Sequence, residues 1–287
     1  MVLRIFQKGF NYSQDGPGNR LVYHLQGCNM RCRWCANPEG IAWEPPLMVT
    51  GELEDGCCPH HAVNGGQLDR ARCAGCRSRE CVNEHRSRFL TCKASDVPVE
   101  EILREAVGCR PMYFEGGGVT FTGGEPTQQW EALGFLLRGL QAEHIHTAIE
   151  TNGTHPHLEE LFGAIDHLIM DIKQTDSAIH KAYTGIGNKN ILDNIRKAAA
   201  ALPLHLRIPL IHGVNDRPED QEAFLRFFRT LPMETVTVEI LPYHEYGKDK
   251  WKQCGMIYTM TDGFVTPQTV RGFEEALRAD GVTVIKT

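Results

Sequence analysis

Six apolar, strand-like runs separated by stretches of helical periodicity predict an α/β fold built on a parallel sheet, since strands that alternate with helices form βαβ units. The runs are 21–25, 119–122, 146–150, 168–173, 204–210 and 235–241. Between them, Trp130, Leu133, Leu137 and Leu140 fall on one helical face, as do Ile191, Ile195 and Ala198, and then Phe224, Phe227 and Phe228. A helix is also expected over 99–106. The last helix is marked by Thr266 as N-cap, Pro267 at the first helical position and an apolar face of Val270, Phe273 and Leu277. About six such units are too few to close an eight-stranded barrel, so the pattern allows an open doubly wound sheet or a partial barrel.

Size and composition bound the rest. The chain has 287 residues and is 41% hydrophobic, enough to bury a full core in one catalytic body, residues 1–287, with or without an insertion. Its formal net charge is −6, and no Lys and Arg run opposes that balance, which argues against a nucleic-acid partner. No apolar stretch reaches the about 18 residues needed to span a bilayer, and Met1 to Lys8 lack an apolar signal core, so a soluble cytoplasmic protein with no membrane association is expected. Eleven cysteines without a signal peptide point to metal ligands in a reducing compartment rather than to disulfides. Cys109 and Cys254 stand alone and read as small buried hydrophobes.

Residues 45–95 interrupt the alternation with Pro45-Pro46, many charges and five cysteines between 57 and 81, and read as a cysteine-rich insertion.

Cys28, Cys32 and Cys35 form a C-x3-C-x2-C run. Three thiolates leave one iron of a [4Fe-4S] cluster without a protein ligand and free to bind something else. A structural zinc usually pairs C-x2-C with a second ligand pair, and none lies close by. Gly123 and Gly124 follow an apolar strand, where missing side chains allow backbone to come close to a neighbour, although a strand-end Gly-Gly is often only a turn. In Asp171-Ile172-Lys173, strand alternation puts Asp171 and Lys173 on one face and Met170 and Ile172 on the other. A carboxylate and an ammonium side by side suit a zwitterionic, cationic ligand; the plainer reading is a surface ion pair.

The order of these motifs carries a resemblance. Asp15-Gly16-Pro17-Gly18, the cysteine trio, Trp34-Cys35-Ala36-Asn37-Pro38-Glu39, Gly116-Gly117-Gly118 leading into Gly123-Gly124-Glu125-Pro126, and Leu241-Pro242-Tyr243-His244-Glu245 follow one another over roughly residues 3 to 287. This series resembles the glycyl-radical enzyme activating proteins of the radical S-adenosylmethionine (SAM) enzymes, of which the pyruvate formate-lyase activating enzyme is the best known. The resemblance implies a partial (β/α)6 radical SAM barrel. It implies Cys28, Cys32 and Cys35 as ligands of a [4Fe-4S] cluster whose open iron takes SAM. It places Trp34, Cys35, Ala36, Gly123, Gly124, Glu125, Thr151, Asp171, Ile172, Lys173 and His244 against the cofactor, and Asp171, Lys173 and Arg207 at the catalytic wall. Gly124 is the best single position for a backbone contact to the methionyl group. Where the family commonly has Asp-Thr, this chain has Glu150-Thr151, one methylene longer, at a place that can hold a monovalent cation.

Many relatives carry two C-x2-C-x2-C-x3-C sets in a ferredoxin-like insertion. Here only Cys73-x2-Cys76-x4-Cys81 is present, preceded by the adjacent pair Cys57 and Cys58. That departure excludes two complete auxiliary clusters. It leaves one second site, made of Cys73, Cys76, Cys81 and either Cys58 or Cys57, which suits a [4Fe-4S] cluster or a zinc ion, spacing alone not separating the two. Cys92 reads as a bystander. The resulting expectation is an anaerobic, oxygen-sensitive oxidoreductase. Reduced by flavodoxin or ferredoxin, it would cleave SAM to a 5′-deoxyadenosyl radical and install a glycyl radical on a partner enzyme. Lys248, Lys250 and Trp251 are expected to help dock that partner. The rival readings are a radical SAM enzyme acting on a small molecule and an iron-sulfur electron-transfer protein.

Overall fold

The computed structural model describes residues 1–12 and 14–287. Nine strands form one open sheet: β1 (Val2–Tyr12), β2 (Asn19–Leu25), β3 (Ser95–Pro98), β4 (Gly118–Gly123), β5 (Thr147–Thr151), β6 (His167–Asp171), β7 (Leu204–Leu210), β8 (Val236–Pro242) and β9 (Thr283–Ile285). Their order across the sheet is β9-β8-β7-β6-β5-β4-β2-β1-β3. From β2 through β4 to β9 every neighbouring pair is parallel, and β1 and β3 join antiparallel at the far edge. The six expected strands are thus β2 and β4 to β8, each within two residues of its expected bounds. Their crossovers carry helices α1 (Val99–Gly108), α2 (Trp130–Ala142), α3 (Ser177–Thr184), α4 (Lys189–Ala199), α5 (Pro218–Phe228), α6 (Lys248–Gln253) and α7 (Pro267–Ala279). Among the described residues no helix is long and apolar enough to cross a membrane.

Strand alternation divides the sheet into an apolar and a polar face. Tyr23, Phe121, Ile149, Leu168, Met170, Leu206 and Val238 point one way, into a core completed by Ile102 of α1, Leu133 and Leu137 of α2, Ile191 and Ile195 of α4, Phe224 and Phe228 of α5, and Phe273 and Leu277 of α7. Each such side chain, fully buried, contributes about 1.5–3 kcal/mol. At the end of the chain Thr266 caps α7 by accepting a hydrogen bond from the Thr269 amide (3.0 Å), with Pro267 at the first turn. The other face carries His24, Thr122, Glu150, Ile169, His205 and Thr237 in one row of adjacent strands. The next row toward the strand ends holds Asp171, Arg207 and Glu239, which pair in register. A row of buried charge on this scale is no feature of a plain core, and it lies at the carboxyl ends of parallel strands, where such sheets bind ligands.

Two segments depart from the expected alternation. β1 forms at the antiparallel edge, held by an Arg4–Asp96 ion pair (2.7 Å) across to β3. Residues 47–91 close on themselves: Met48–Val49 pairs with Leu90–Thr91, and Leu47, Leu53, Ala62, Val63 and Leu90 gather with Cys57, Cys58 and Cys81 in a small cluster separate from the main core.

Candidate active site

The loop that leaves β2 is fixed from several directions. The Gly27 and Cys28 amides donate to the Gly40 and Ile41 carbonyls (both 2.9 Å), and the Arg31 and Arg33 amides donate to Thr184 and Tyr183 at the end of α3 (2.8 and 3.1 Å). Within this frame Cys32 is buried, Cys28 and Cys35 are partly so, and the three thiols lie close enough to repel one another as thiolates. Burial is the main reason that each thiol is pushed up to about 12. The Lys173 ammonium, itself buried, faces Cys28 and Cys32. Burial alone would lower its pKa, but Asp171 and the two cysteines outweigh that and raise it. Three inward-facing thiols beside a fixed positive charge fit a cluster whose iron charge deprotonates its ligands and whose net anionic charge a lysine then balances.

Gly124 explains how β4 meets this loop. A Cβ there would lie 2.3 Å from the Gly27 carbonyl oxygen and 2.5 Å from that of Gly40. The space that glycine leaves is therefore filled by the cysteine loop, not by a ligand. The Gly124 and Glu125 amides donate to Leu25 and Gly27 (2.9 and 2.7 Å). No N–H of either residue is left for an anion, so this corner offers a ligand carbonyl oxygen, which suits an ammonium. The Glu125 carboxylate, wholly buried, turns away. It accepts from the Thr127 amide and hydroxyl (3.0 and 2.6 Å), the Thr151 hydroxyl (2.6 Å) and the Asn152 amide (2.7 Å). Through these bonds the Glu125 and Thr151 side chains, both expected beside the cofactor, tie the end of β4 to the end of β5. Asn152, which sequence reading passed over, completes the tie: its amide nitrogen points at Cys28 Sγ (3.9 Å) and donates to Asn29 Oδ1 (2.9 Å).

Asp171 and Lys173 form an ion pair on the polar face, and Met170 and Ile172 lie in the apolar core, as alternation requires. Ile172 therefore meets any ligand through its backbone alone. Asn215 fixes the end of β6, donating to the Lys173 carbonyl (2.8 Å) and the Pro209 carbonyl (2.7 Å) while accepting from the Ile211 amide (2.8 Å). Arg207 is 6% exposed. Its Nη1 donates to Glu150 Oε1 (2.7 Å), its Nε to Glu239 Oε2 (3.2 Å) and its Nη2 to the Gln14 carbonyl. Thr122 supplies the other bond to Glu150, at Oε2 (2.8 Å). Burial pushes the Glu150 carboxyl up, but Arg207 and Thr122 hold it below its ordinary value. Asp15, on the same face, is raised, first by burial and then by the Glu150 charge.

Trp34 and Ala36 are partly exposed beside the trio, and the Trp34 ring stands 6.2 Å from that of Tyr183. His244 lies exposed past the end of β8, stacked on Tyr246 with ring centroids 4.2 Å apart. The segment that follows is bonded to the cysteine loop. Lys250 pairs with the buried Glu39 (2.8 Å) and donates to Asn37 Oδ1 (2.8 Å), and the Trp251 indole donates to the Cys35 carbonyl (2.8 Å). These side chains brace the cysteine loop while part of each stays at the surface. Lys248 pairs with Glu245 (2.6 Å) and remains exposed.

In the insertion, Cys58, Cys73, Cys76 and Cys81 line one small pocket with Leu47, Leu68 and Leu90. Cys57 and Cys92 are not part of its wall.

A family model described as the Radical SAM superfamily matches residues 22–227. The chain is similar to the 4-hydroxyphenylacetate decarboxylase activating enzyme of Clostridioides difficile, with 35% identity over 86% of this chain and 84% of that protein. It is similar to the isethionate sulfite-lyase activating enzyme of Desulfovibrio desulfuricans, with 35% identity over 84% of this chain and 83% of that one. Among solved structures it matches a domain of pyruvate-formate lyase-activating enzyme from Bacteroides vulgatus, at 29% identity and a TM-score of 0.50, over 59% of this chain and 98% of that chain. A radical SAM methyltransferase from Sphaerobacter thermophilus shares the fold, at 16% identity and a TM-score of 0.57, over 96% of this chain and 67% of that chain.

Proposed function

The chain belongs to the radical SAM superfamily and to its glycyl-radical enzyme activating enzymes, and from that premise we propose how its residues divide the work. Cys28, Cys32 and Cys35 hold the [4Fe-4S] cluster. When bound, the cluster supplies one electron to the SAM sulfonium, whose cleavage yields the 5′-deoxyadenosyl radical that removes hydrogen from a glycine of the partner enzyme. The observation that carries the reading is the convergence of three thiols, rather than four, on the buried Lys173 at the carboxyl ends of the strands.

The remaining roles follow from charge and direction. Asp171 and the carbonyl groups of Gly123 and Gly124 receive the ammonium of the methionyl group, and Lys173 offsets the anionic charge of the cluster and the methionyl carboxylate. Trp34, Cys35 and Ala36, with the Ile172 backbone, line the cofactor from below, and exposed His244 meets its adenosyl end. Arg207 orients the polar wall through Glu150 and Glu239. Glu125 and Thr151 hold the strand ends together at the edge of the cofactor site.

The insertion, residues 45–95, holds a second four-cysteine group on Cys58, Cys73, Cys76 and Cys81. Four thiols on one pocket wall suit a second [4Fe-4S] cluster, with a structural zinc as the alternative that the same set also fits. The partner is a glycyl-radical enzyme, a reading the names of the relatives support; flavodoxin or ferredoxin is proposed as the electron donor on the family resemblance alone.

The test is anaerobic. Iron-reconstituted protein, reductant and SAM should yield 5′-deoxyadenosine, and a Cys32→Ala variant should not. With a partner deuterated at glycine, the label should appear in the product. No product at verified cluster loading sinks the radical reading, and product without label transfer sinks the activase reading.

A further inference from the structure

We infer that the Glu150-Thr151 corner of this chain takes no monovalent cation, and that the Arg207 guanidinium stands in the cation's place. The inference rests on reading this end of the sheet as the SAM site. A hard cation needs several oxygens with free lone pairs converging on one point. Here each candidate oxygen already bonds a neighbour, and a cation set against Glu150 would stand beside the buried Arg207 guanidinium, charge against like charge. Glu150 Oε1 accepts from Arg207 (2.7 Å) and Oε2 accepts from Thr122 (2.8 Å). The Thr151 hydroxyl donates to Glu125 (2.6 Å) and accepts from the Gly153 amide (3.1 Å). Asp171 is paired with Lys173.

The extra methylene of Glu150 makes this arrangement possible. In register, Glu150 on β5 lies beside Ile169 of β6, which lies beside His205 of β7; Arg207 is two residues further along β7. The carboxylate and the guanidinium therefore meet across an intervening strand, a span of about 9–10 Å between strand axes. An aspartate would retract the carboxylate by about 1.5 Å, one carbon–carbon bond, and lose the contact. Arg207 has no other use for that hydrogen: its Nε and Nη2 are already engaged by Glu239 and Gln14. A fixed positive charge thus occupies the position from which a sodium or potassium ion would face the carboxylate of SAM.

The experiment compares SAM binding to the reconstituted protein in sodium, potassium and choline chloride at one ionic strength, by calorimetric titration and by the SAM-induced change in the spin spectrum of the reduced cluster. Melting of the same protein in the three salts is recorded without SAM. The wild type should bind SAM with affinities within about twofold in all three salts and melt alike in them. Glu150→Asp, which frees the corner, should bind SAM about tenfold more tightly in sodium or potassium than in choline. Tighter SAM binding or a higher melting temperature of the wild type in either alkali salt overturns the inference. So does a Glu150→Asp protein that folds and ignores the salt. If Glu150→Asp does not fold, Arg207→Gln, which removes the charge, takes its place in the same comparison and should show the same preference for sodium or potassium over choline. Absence of SAM binding in every salt removes the SAM-site reading itself, and the inference with it, an outcome plainly different from salt-dependent binding.

Discussion

Replacing Gly124 with alanine adds one methyl group where β4 meets the cysteine loop. That methyl would lie 2.3 Å from the Gly27 carbonyl oxygen and 2.5 Å from that of Gly40, both backbone atoms without a rotamer to change. Relief to ordinary contact demands an opening of about 1 Å, and the Glu125 amide bond to Gly27 (2.7 Å) lies across the same gap. Overpacking of this kind costs about 1–3 kcal/mol, and a weakened backbone hydrogen bond adds about 0.5–1.5 kcal/mol. The sum, about 1.5–4.5 kcal/mol, lowers Tm by roughly 3–8 °C in a chain of this size. Because Gly27 precedes Cys28, the shift also moves the thiols against the strand ends, and a displacement of about 1 Å near the reacting atoms costs on the order of 100-fold in rate. The assays are thermal unfolding, iron per chain, and 5′-deoxyadenosine formed at equal cluster loading. Gly163→Ala serves as control, since a Cβ there meets nothing within 4 Å and its backbone is not left-handed. If Gly124→Ala matches that control in melting and in rate, the close approach does not position the loop and the reasoning fails.

Three further outcomes follow from the same contacts. Lys250→Met should lower the denaturant midpoint by the equivalent of about 3–5 kcal/mol, because it strands the buried Glu39 carboxylate, and adding Glu39→Gln should restore most of that loss. Cys58→Ser should lower bound iron by about four atoms per chain, with Cys57→Ser unchanged by the same iron assay. His167 is pushed down to about 4, first by burial and then by His205, Arg20, His146 and Arg207 around it. Its neutral form is favoured by folding, so that stability is full above the unfolded value of about 6.5 and is lost as pH falls from there toward 4, by about 3 kcal/mol in all. His167→Gln should flatten this decline in urea unfolding curves measured between about pH 7 and pH 5; an unchanged slope would show that other groups carry it.

Much of this was legible in the chain. The six parallel strands announced themselves because each is apolar and helices separate them, and a motif such as the cysteine trio keeps its ligands within eight residues of one another. β1 was not legible because only Leu3, Ile5 and Phe6 of its eleven residues are buried, too few for a clear alternation. The side chains of the site were harder to place than its segments. Asp171 and Lys173 fell on the polar face as a period of two requires, but nothing in Gly123-Gly124-Glu125 says that its glycines face the cysteine loop. Nor does it say that its carboxylate meets Thr151 and Asn152, some 26 residues away, since those contacts depend on how far β4 and β5 slide past one another. Cys57 and Cys58 are both buried, and spacing likewise does not encode that Cys58 is the one lining the pocket with Cys73, Cys76 and Cys81.

The hardest element to read was α6, and its role follows only from the assembled contacts. A helix of six residues has too few internal hydrogen bonds to hold itself in water, so its position is set by what it touches. On one side Trp251 grips the Cys35 carbonyl, Lys250 grips Glu39, and Gly247 lies so close to Cys35 and Ala36 that a Cβ would sit 2.6 Å from both. On the other side Arg70 of the insertion donates to the Gln253 carbonyl (2.6 Å) and to Leu47 (2.9 Å), just outside the four-cysteine pocket. The helix is thus clamped between the two cysteine groups. The placement of Cys35 depends on a pocket built from residues 47 to 90 as well as on its own loop. An insertion that looked like an appendage in the sequence is in this sense tied to the site, with Lys250 holding the helix to the cysteine loop and Arg70 holding it to the insertion.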